Sequence, residues 1–210
     1  FFDQEHGRLL KEVLGYQGCQ LSVYMPTFRG HTDDVEGDTY VEQVRSYLEV
    51  IDKGMQDDQI LLLKLHPLVQ KGLDLDNYRH IRPFPSELDT YDVLNACDVL
   101  ITDYSSVMYD FANTGRKIIL FAYDLEDYMG HRGMYEDIRS YPFPIAVTPE
   151  EVLSELQEPG GGADREFLDK YCTFDRQKAT RNICRHVLLG KYLCQEHKMP
   201  VTTKKKVLLY

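Results

Sequence analysis

The chain has 210 residues, 43% hydrophobic and 28% charged. That supports one folded core, or a core with an attached subdomain, and excludes a disordered tail. Lys and Arg number 24 against 34 Asp and Glu, a formal charge of -10, which counts against nucleic-acid binding through bulk charge while leaving a local basic pocket open.

The first predicted element is a helix over Gln4 to Leu14, with Leu9, Leu10 and Leu14 on its apolar side and Gly15 placed to end it. Gly7 weakens that helix. Gln20 to Tyr24 alternates as a short strand, closed by Pro26, and Arg29 to Gly37 reads as a polar loop. Thr39 to Asp52 carries Val41, Val44, Leu48 and Ile51 at helical spacing. Gln59 to Leu65 is apolar up to Lys64, as in a strand covered on both faces. Ile81 marks a further short strand. Thr90 is placed to cap a helix through Ala96, and Asp98 to Thr102 is the next strand. Ser105 or Ser106 starts a helix ending near Gly115, and Lys117 to Phe121 is another strand. Ile145 to Val147 is a last short strand. Thr148, Pro149 and Glu151 then form a capping box with proline at the first helical position. Glu158 to Ala163 reads as a flexible break, followed by helices over Ala163 to Tyr171 and Gln177 to Tyr192. The end is basic at Lys204, Lys205 and Lys206, then apolar.

Alternating strands and helices predict a three-layer α/β domain with five or six strands in a mostly parallel sheet. The expected division is an α/β domain over residues 1–157, a closing helical segment over 158–194 and a tail over 195–210. The longest central aliphatic run, Ile60 to Leu63, is far below the roughly 20 residues of a membrane span. A start at Phe1, with no Met and no secretory leader, predicts a fragment. Cys19, Cys97, Cys172, Cys184 and Cys194 are widely spaced and include no CxxC. They read as free thiols in a reducing compartment, and no metal or cofactor is expected.

Ligands of an open parallel sheet bind beyond the carboxyl ends of its strands, and three segments carry polar groups there. The first is Lys64 to Pro67. Lys64 and His66 are two apart and so share one face of the strand, where Lys64 could offset phosphate charge and His66 could exchange a proton; an ordinary polar strand end is the alternative. The second is Thr102 to Ser106. Hydroxyls and free N–H groups at a helix start suit a phosphate, whereas Asp103 would repel one and is better used to cap the helix, to order the loop or to contact another part of a ligand; a plain cap cluster is equally open. The third runs from Tyr123 through Glu126 and Asp127 to Arg132, where an arginine could grip a phosphate and an acid could accept from hydroxyls, or where the acids simply face solvent. Tyr24, Thr27 and Arg29 form a further candidate edge. No GxGxxG and no GxxxxGK[ST] occurs, against nicotinamide chemistry and P-loop hydrolysis.

Several of these segments together resemble one family. YMPTFRG (Tyr24 to Gly30), LLLKLHP (Leu61 to Pro67), the long run from Ile101 to Ile138, and DKYCTFDRQKATRNI (Asp169 to Ile183) are similar to the CDP-glycerol glycerophosphotransferases of teichoic acid synthesis. The resemblance covers roughly residues 20 to 190. It implies a Rossmann-like domain, the C-terminal, donor-binding half of a two-domain GT-B fold. The implied reaction moves glycerol phosphate from CDP-glycerol to a hydroxyl of a lipid-linked polyol-phosphate acceptor and releases CMP.

His66 matches the family's KLHP histidine and is the implied catalytic residue. Lys64, Thr102, Asp103, Ser105, Ser106, Glu126 and Arg132 are the implied donor-side residues, with Tyr24, Thr27 and Arg29 at the cleft edge. No WHG-like motif occurs, so the acceptor domain is expected to lie outside this chain, and the chain alone to transfer poorly or not at all. The resemblance further implies work in the cytoplasm at the inner face of a bacterial membrane, with peripheral contact made mostly by that other half. CDP-ribitol transfer, nucleotide-sugar glycosyl transfer and a noncatalytic nucleotide-binding scaffold are the alternative functions.

Overall fold

The structure, a computed structural model, describes residues 3–29, 36–131, 133–134, 136–173 and 179–190, without the side chains of residues 36–39 and 68. Residues Phe1–Thr173 make one compact unit and Phe174–Tyr210 a second.

The first unit is built on six parallel strands: β1 Gln20–Tyr24, β2 Gln59–Leu63, β3 Ile81–Pro83, β4 Val99–Thr102, β5 Lys117–Phe121 and β6 Ile145–Ala146. Their order across the sheet is β3-β2-β1-β4-β5-β6, and every neighbouring pair is parallel. Parallel strands need crossovers, and these carry helices α2 Glu36–Gly54, α3 Pro67–Gln70, α4 Thr90–Ala96, α5 Val107–Ala112 and α6 Leu125–His131; α1 Gln4–Val13 precedes the sheet, and α7 Pro149–Gln157 and α8 Arg165–Tyr171 follow it. In the second unit, α9 spans Ala179–Val187.

Strand side chains alternate between two cores. Leu21, Val23, Leu62, Leu100, Ile118 and Leu120 join one core with Val93 and Leu94 of α4, Phe111 of α5 and Phe167 of α8. Tyr24, Leu61, Leu63, Ile101, Ile119 and Phe121 join the other with Val44, Leu48 and Ile51 of α2 and Val152 of α7. Both faces of the sheet are therefore buried, which is why its strands read as continuous apolar runs. This is the three-layer, doubly wound arrangement expected from the sequence.

Local rules account for most boundaries. α1 ends in a Schellman motif: the Gly15 N–H donates to the Glu12 carbonyl (2.9 Å) and the Tyr16 N–H to the Lys11 carbonyl (3.0 Å). Gly15 takes φ 80°, a conformation that costs glycine little. The α7 capping box is complete, with the Thr148 side chain accepting from the Glu151 N–H and Glu151 answering the cap backbone.

Three expectations need correction. Asp89, not Thr90, caps α4; its carboxylate accepts from the Tyr91 and Asp92 N–H groups, and Thr90 is the first helical residue. The helix after Ser106 stops at Ala112 rather than near Gly115, because the Asn113, Thr114 and Gly115 N–H groups close short turns. The segment after α7 is strapped to β5: Gly161 accepts from the Ile118 N–H (3.0 Å) and Glu158 from the Lys117 ammonium (2.7 Å).

Gly7 sits in the interior of α1 because that helix crosses α4 closely. A Cβ there would lie 2.3 Å from the Asn95 carbonyl oxygen. Asn95 also donates its amide to the Asp3 carbonyl (2.7 Å). No described helix is long and apolar enough to cross a membrane.

Candidate functional site

The sheet order reverses direction between β1 and β4, so the crevice beyond their carboxyl ends is where a doubly wound sheet receives a ligand. The last ladder bonds there run from the Met25 N–H to the Ile101 carbonyl (2.9 Å) and from the Lys64 N–H to the Tyr24 carbonyl (3.0 Å). Past these points side chains hold the loops.

Thr102 and Asp103 are both fully buried. Thr102 Oγ1 donates to the Met25 carbonyl (2.7 Å). Asp103 accepts from the Thr27 N–H (2.9 and 3.0 Å), the Thr27 hydroxyl (2.8 Å) and the Tyr104 N–H (2.6 Å), and pairs with Arg29 at 2.7 Å. These two residues tie the loops after β1 and β4 together. Their expected direct contact with a donor gives way to an internal role, because their side chains present no surface.

Ser105 and Ser106 remain accessible, half-buried and exposed respectively. Ser106 is the N-cap of α5 without a side-chain cap bond, and Ser105 Oγ accepts only a long contact from the Val107 N–H (3.5 Å). Their hydroxyls thus stand beside a helix start at the mouth of the crevice, a placement that suits an anionic oxygen.

Lys64 and His66 lie just past β2, which ends at Leu63, and their contacts diverge. The Lys64 ammonium donates to Thr90 Oγ1 (3.2 Å) and sits 4.1 Å from the Phe84 ring centroid. His66 is exposed and stacks on Phe28 from the loop after β1, with centroids 4.3 Å apart and planes at 27°. Its carbonyl accepts from the Val69 and Gln70 N–H groups, so the residue opens α3.

Tyr24 is not a cleft edge. It is 2% exposed, packs against Phe121 in the core, and burial pushes its hydroxyl pKa well up. Glu126 is exposed on α6 and pairs with Arg139 at 3.3 Å. Arg132 lies outside the described residues.

Arg29 is the centre of a polar cluster at this end. Its Nε and Nη2 donate to the two Asp124 oxygens (2.6 and 3.1 Å), and Nη1 donates to the Thr27 carbonyl (2.7 Å). The guanidinium carbon lies 4.9 Å from the Tyr104 ring, 5.3 Å from Tyr128 and 5.7 Å from Tyr123. Burial by itself would lower the Arg29 pKa, but the Asp124 hydrogen bonds and the Asp103 charge raise it, so the group stays cationic. Tyr104 stacks on Tyr128 at 3.8 Å and donates its hydroxyl to Asp124 (2.9 Å). Burial, then that bond, raises the Tyr104 pKa and keeps it a neutral donor.

Phe28, Tyr104, Asp124 and Tyr128 escaped selection from the sequence. The signal present was aromatic enrichment around Thr102 to Ser106 and Tyr123 to Tyr128. Among the described residues no group of three or more His, Cys, Asp or Glu is placed to hold a metal. Two cavities, about 590 and 460 Å3, lie near β3 and α2, lined by Asp74, Tyr78, Arg82 and Glu49. The larger is also lined by Gln70, whose N–H donates to the His66 carbonyl (3.1 Å), so it opens near the His66 end; neither is lined by Ser105, Ser106 or His66.

Comparison with known proteins agrees with this architecture. The family described as CDP-Glycerol:Poly(glycerophosphate) glycerophosphotransferase matches residues 3–189. A teichoic acid poly(glycerol phosphate) polymerase of Staphylococcus epidermidis is 33% identical over 172 residues, covering 77% of this chain and 23% of that protein. A teichoic acid poly(ribitol-phosphate) polymerase of Bacillus spizizenii is 31% identical, covering 75% of this chain and 26% of that protein. The structure of the wall teichoic acid polymerase TagF superposes with a TM-score of 0.70 at 28% identity, covering 90% of this chain and 48% of that one. The chain spans about half or less of the length of these relatives. Its α/β domain with a parallel sheet is the Rossmann-like, GT-B-type domain found in TagF, and on sequence and fold together the chain belongs to the CDP-glycerol glycerophosphotransferase family.

Proposed function

We propose that this chain is the donor-binding half of an enzyme that transfers glycerol phosphate from CDP-glycerol to a hydroxyl of a lipid-linked teichoic acid acceptor. The acceptor oxygen attacks the glycerol-bearing phosphorus. The bond from that phosphorus to the bridging oxygen breaks, CMP leaves, and the acceptor proton passes to a base. Family membership supports the reaction class. What supports the assignment to this domain is that Ser105 and Ser106 follow β4 and His66 follows β2, the two strands that flank β1, all at the carboxyl ends of the sheet.

Ser105 and Ser106 would receive donor phosphate oxygens, and His66 would serve the transferring phosphoryl group by proton exchange or charge stabilisation. Lys64 would add positive potential nearby, held off the phosphate by Thr90. Glu126, on α6, and Arg132 would be further donor-side residues. Thr27 and Arg29 support the edge rather than forming it. The acceptor site and a second catalytic histidine belong to the half of the enzyme outside this chain.

Ribitol transfer is the second reading, because relatives of both polyol types match at similar identity. Peripheral contact with the inner face of the membrane completes the proposal. Residues 174–210 carry nine Lys or Arg against two Asp or Glu, while the chain as a whole is at -10. A basic segment of this kind favours an anionic lipid surface in support of contacts made by the other half.

Calorimetric titration of the folded chain with CDP-glycerol, CDP-ribitol, CMP and UDP-glucose tests the donor reading. Selective CDP-glycerol binding is expected. A preference for CDP-ribitol redirects the polyol assignment, and a preference for UDP-glucose points to glycosyl transfer.

A further inference from the structure

Among the described residues no backbone ladder joins the loops after β1 and β4 beyond Met25 and Thr102, and the loop after β5 leaves the sheet at Ala122, whose N–H donates to the Ala146 carbonyl (2.8 Å). Side chains must set these separations. The Arg29 guanidinium reaches all three loops: the Thr27 carbonyl on its own, Asp103 after β4, and both oxygens of Asp124 after β5. Tyr104 and Tyr128 lie against it, and Tyr104 closes the circuit by donating to Asp124. The Arg29 side chain is only 12% exposed. Four of its five N–H donors are committed to these internal partners.

We propose that Arg29 is a positioning residue for donor binding, clamping the loops after β1, β4 and β5 into one unit and so setting where Ser105 and Ser106 stand. The inference rests on the donor-binding reading of those loops. A planar guanidinium suits the task because its donors diverge in one plane toward separate acceptors. A lysine ammonium on a flexible stem is a point charge and cannot span them.

The charge balance gives the clamp a distinctive signature. Asp103 is 1% exposed on its side chain and has Asp124 as a fellow carboxylate on the same guanidinium. Tyr24, Tyr40, Tyr104, Tyr123 and Tyr128 supply the other titratable groups around them. Without Arg29 the Asp103 charge is buried beside a like charge, a costly state that opens the loop. Asparagine at position 103 still accepts from Thr27 through its carbonyl oxygen but carries no charge. It should therefore repair much of the damage done by losing Arg29.

The test compares the wild-type chain, Arg29→Met, Arg29→Lys and the double variant Arg29→Met with Asp103→Asn, at a temperature where circular dichroism shows each folded. Two quantities are read: hydrogen exchange at the Thr27 and Tyr104 amides, and CDP-glycerol affinity by calorimetry. In Arg29→Met, exchange should quicken and affinity fall, each by about tenfold or more, and the double variant should recover both to within about threefold of wild type. If Arg29→Met does not fold, Arg29→Lys carries the comparison and should show the same two losses to a smaller degree. Unchanged protection of the two amides overturns the clamp. Faster exchange with unchanged affinity overturns its role in donor binding. A wild-type chain that binds no CDP-glycerol sinks the donor reading instead, and amide exchange then decides the clamp alone.

Discussion

Replacing Thr102 by Val separates a structural hydroxyl from a ligand-binding one. The shape of the side chain is nearly kept, and the only group removed is an Oγ1 that donates to the Met25 carbonyl at 2.7 Å in a fully buried position. A neutral hydrogen bond of this kind contributes about 1 kcal/mol net, and an acceptor left unpaired in the interior costs about 1–3 kcal/mol. The methyl that replaces the hydroxyl recovers part of that through apolar burial. The expected loss is therefore about 1–2 kcal/mol. In a unit of this size each kcal/mol lowers the midpoint by roughly 2–4 °C, so the melting temperature should fall by roughly 2–8 °C. Scanning calorimetry reads that shift, and titration of CDP-glycerol well below the transition should give an affinity within about twofold of wild type. An affinity loss of about tenfold with an unchanged melting temperature would refute the reasoning. It would mean that Thr102 touches the donor and that the bond to Met25 carries little.

Other substitutions probe the remaining elements. Changing both Ser105 and Ser106 to Ala should weaken CDP-glycerol binding by about tenfold while leaving the melting temperature within about 2 °C, since neither hydroxyl makes a strong internal bond; unchanged affinity would count against a phosphate at the α5 start. His66→Ala, in the enzyme complete with its acceptor half, should lower kcat by roughly a hundredfold with a small change in donor KM. Full turnover at saturating donor would remove His66 from the reaction. Gly7→Ala should destabilise despite a helix-propensity gain of about 1 kcal/mol, because the new Cβ meets the Asn95 carbonyl at 2.3 Å and overpacking of this kind costs about 1–3 kcal/mol. A raised urea midpoint would show that α1 yields easily.

Much of the fold was legible because its strands obey one rule. Gln20–Tyr24 and Lys117–Phe121 are the strands expected, residue for residue, since alternation in the first and an apolar run in the second, each between turn signals, leave little choice. Helix ends were less legible. Asp89 and Thr90 are both capping types, and the extended backbone at Asp89, which aims its carboxylate at two N–H groups, decides between them. The site divided in the same way. The strand-end position of His66, Ser105 and Ser106 follows from topology, which alternation in sequence predicts. Whether Asp103 faces a ligand or the interior depends on Thr27 and Arg29, more than 70 residues earlier in the chain. Nothing local to Thr102–Ser106 encodes that choice. Tyr24 shows the opposite failure: a polar residue at a strand end looked accessible, yet its ring fills the α2 face of the core.

The two outer strands have a bearing on solubility. β3 has three residues and ends in Pro83, and β6 has two and follows Pro144. Proline offers no N–H to a passing strand, and so short an edge gives an incoming chain few ladder bonds to copy. Gly161 adds to the protection by occupying the Ile118 N–H of β5, where β6 does not reach. An all-parallel sheet with long apolar inner strands would otherwise be a template for edge-to-edge stacking. Here the strands best suited to seed an aggregate, β1, β2, β4 and β5, are all held in the interior of the sheet.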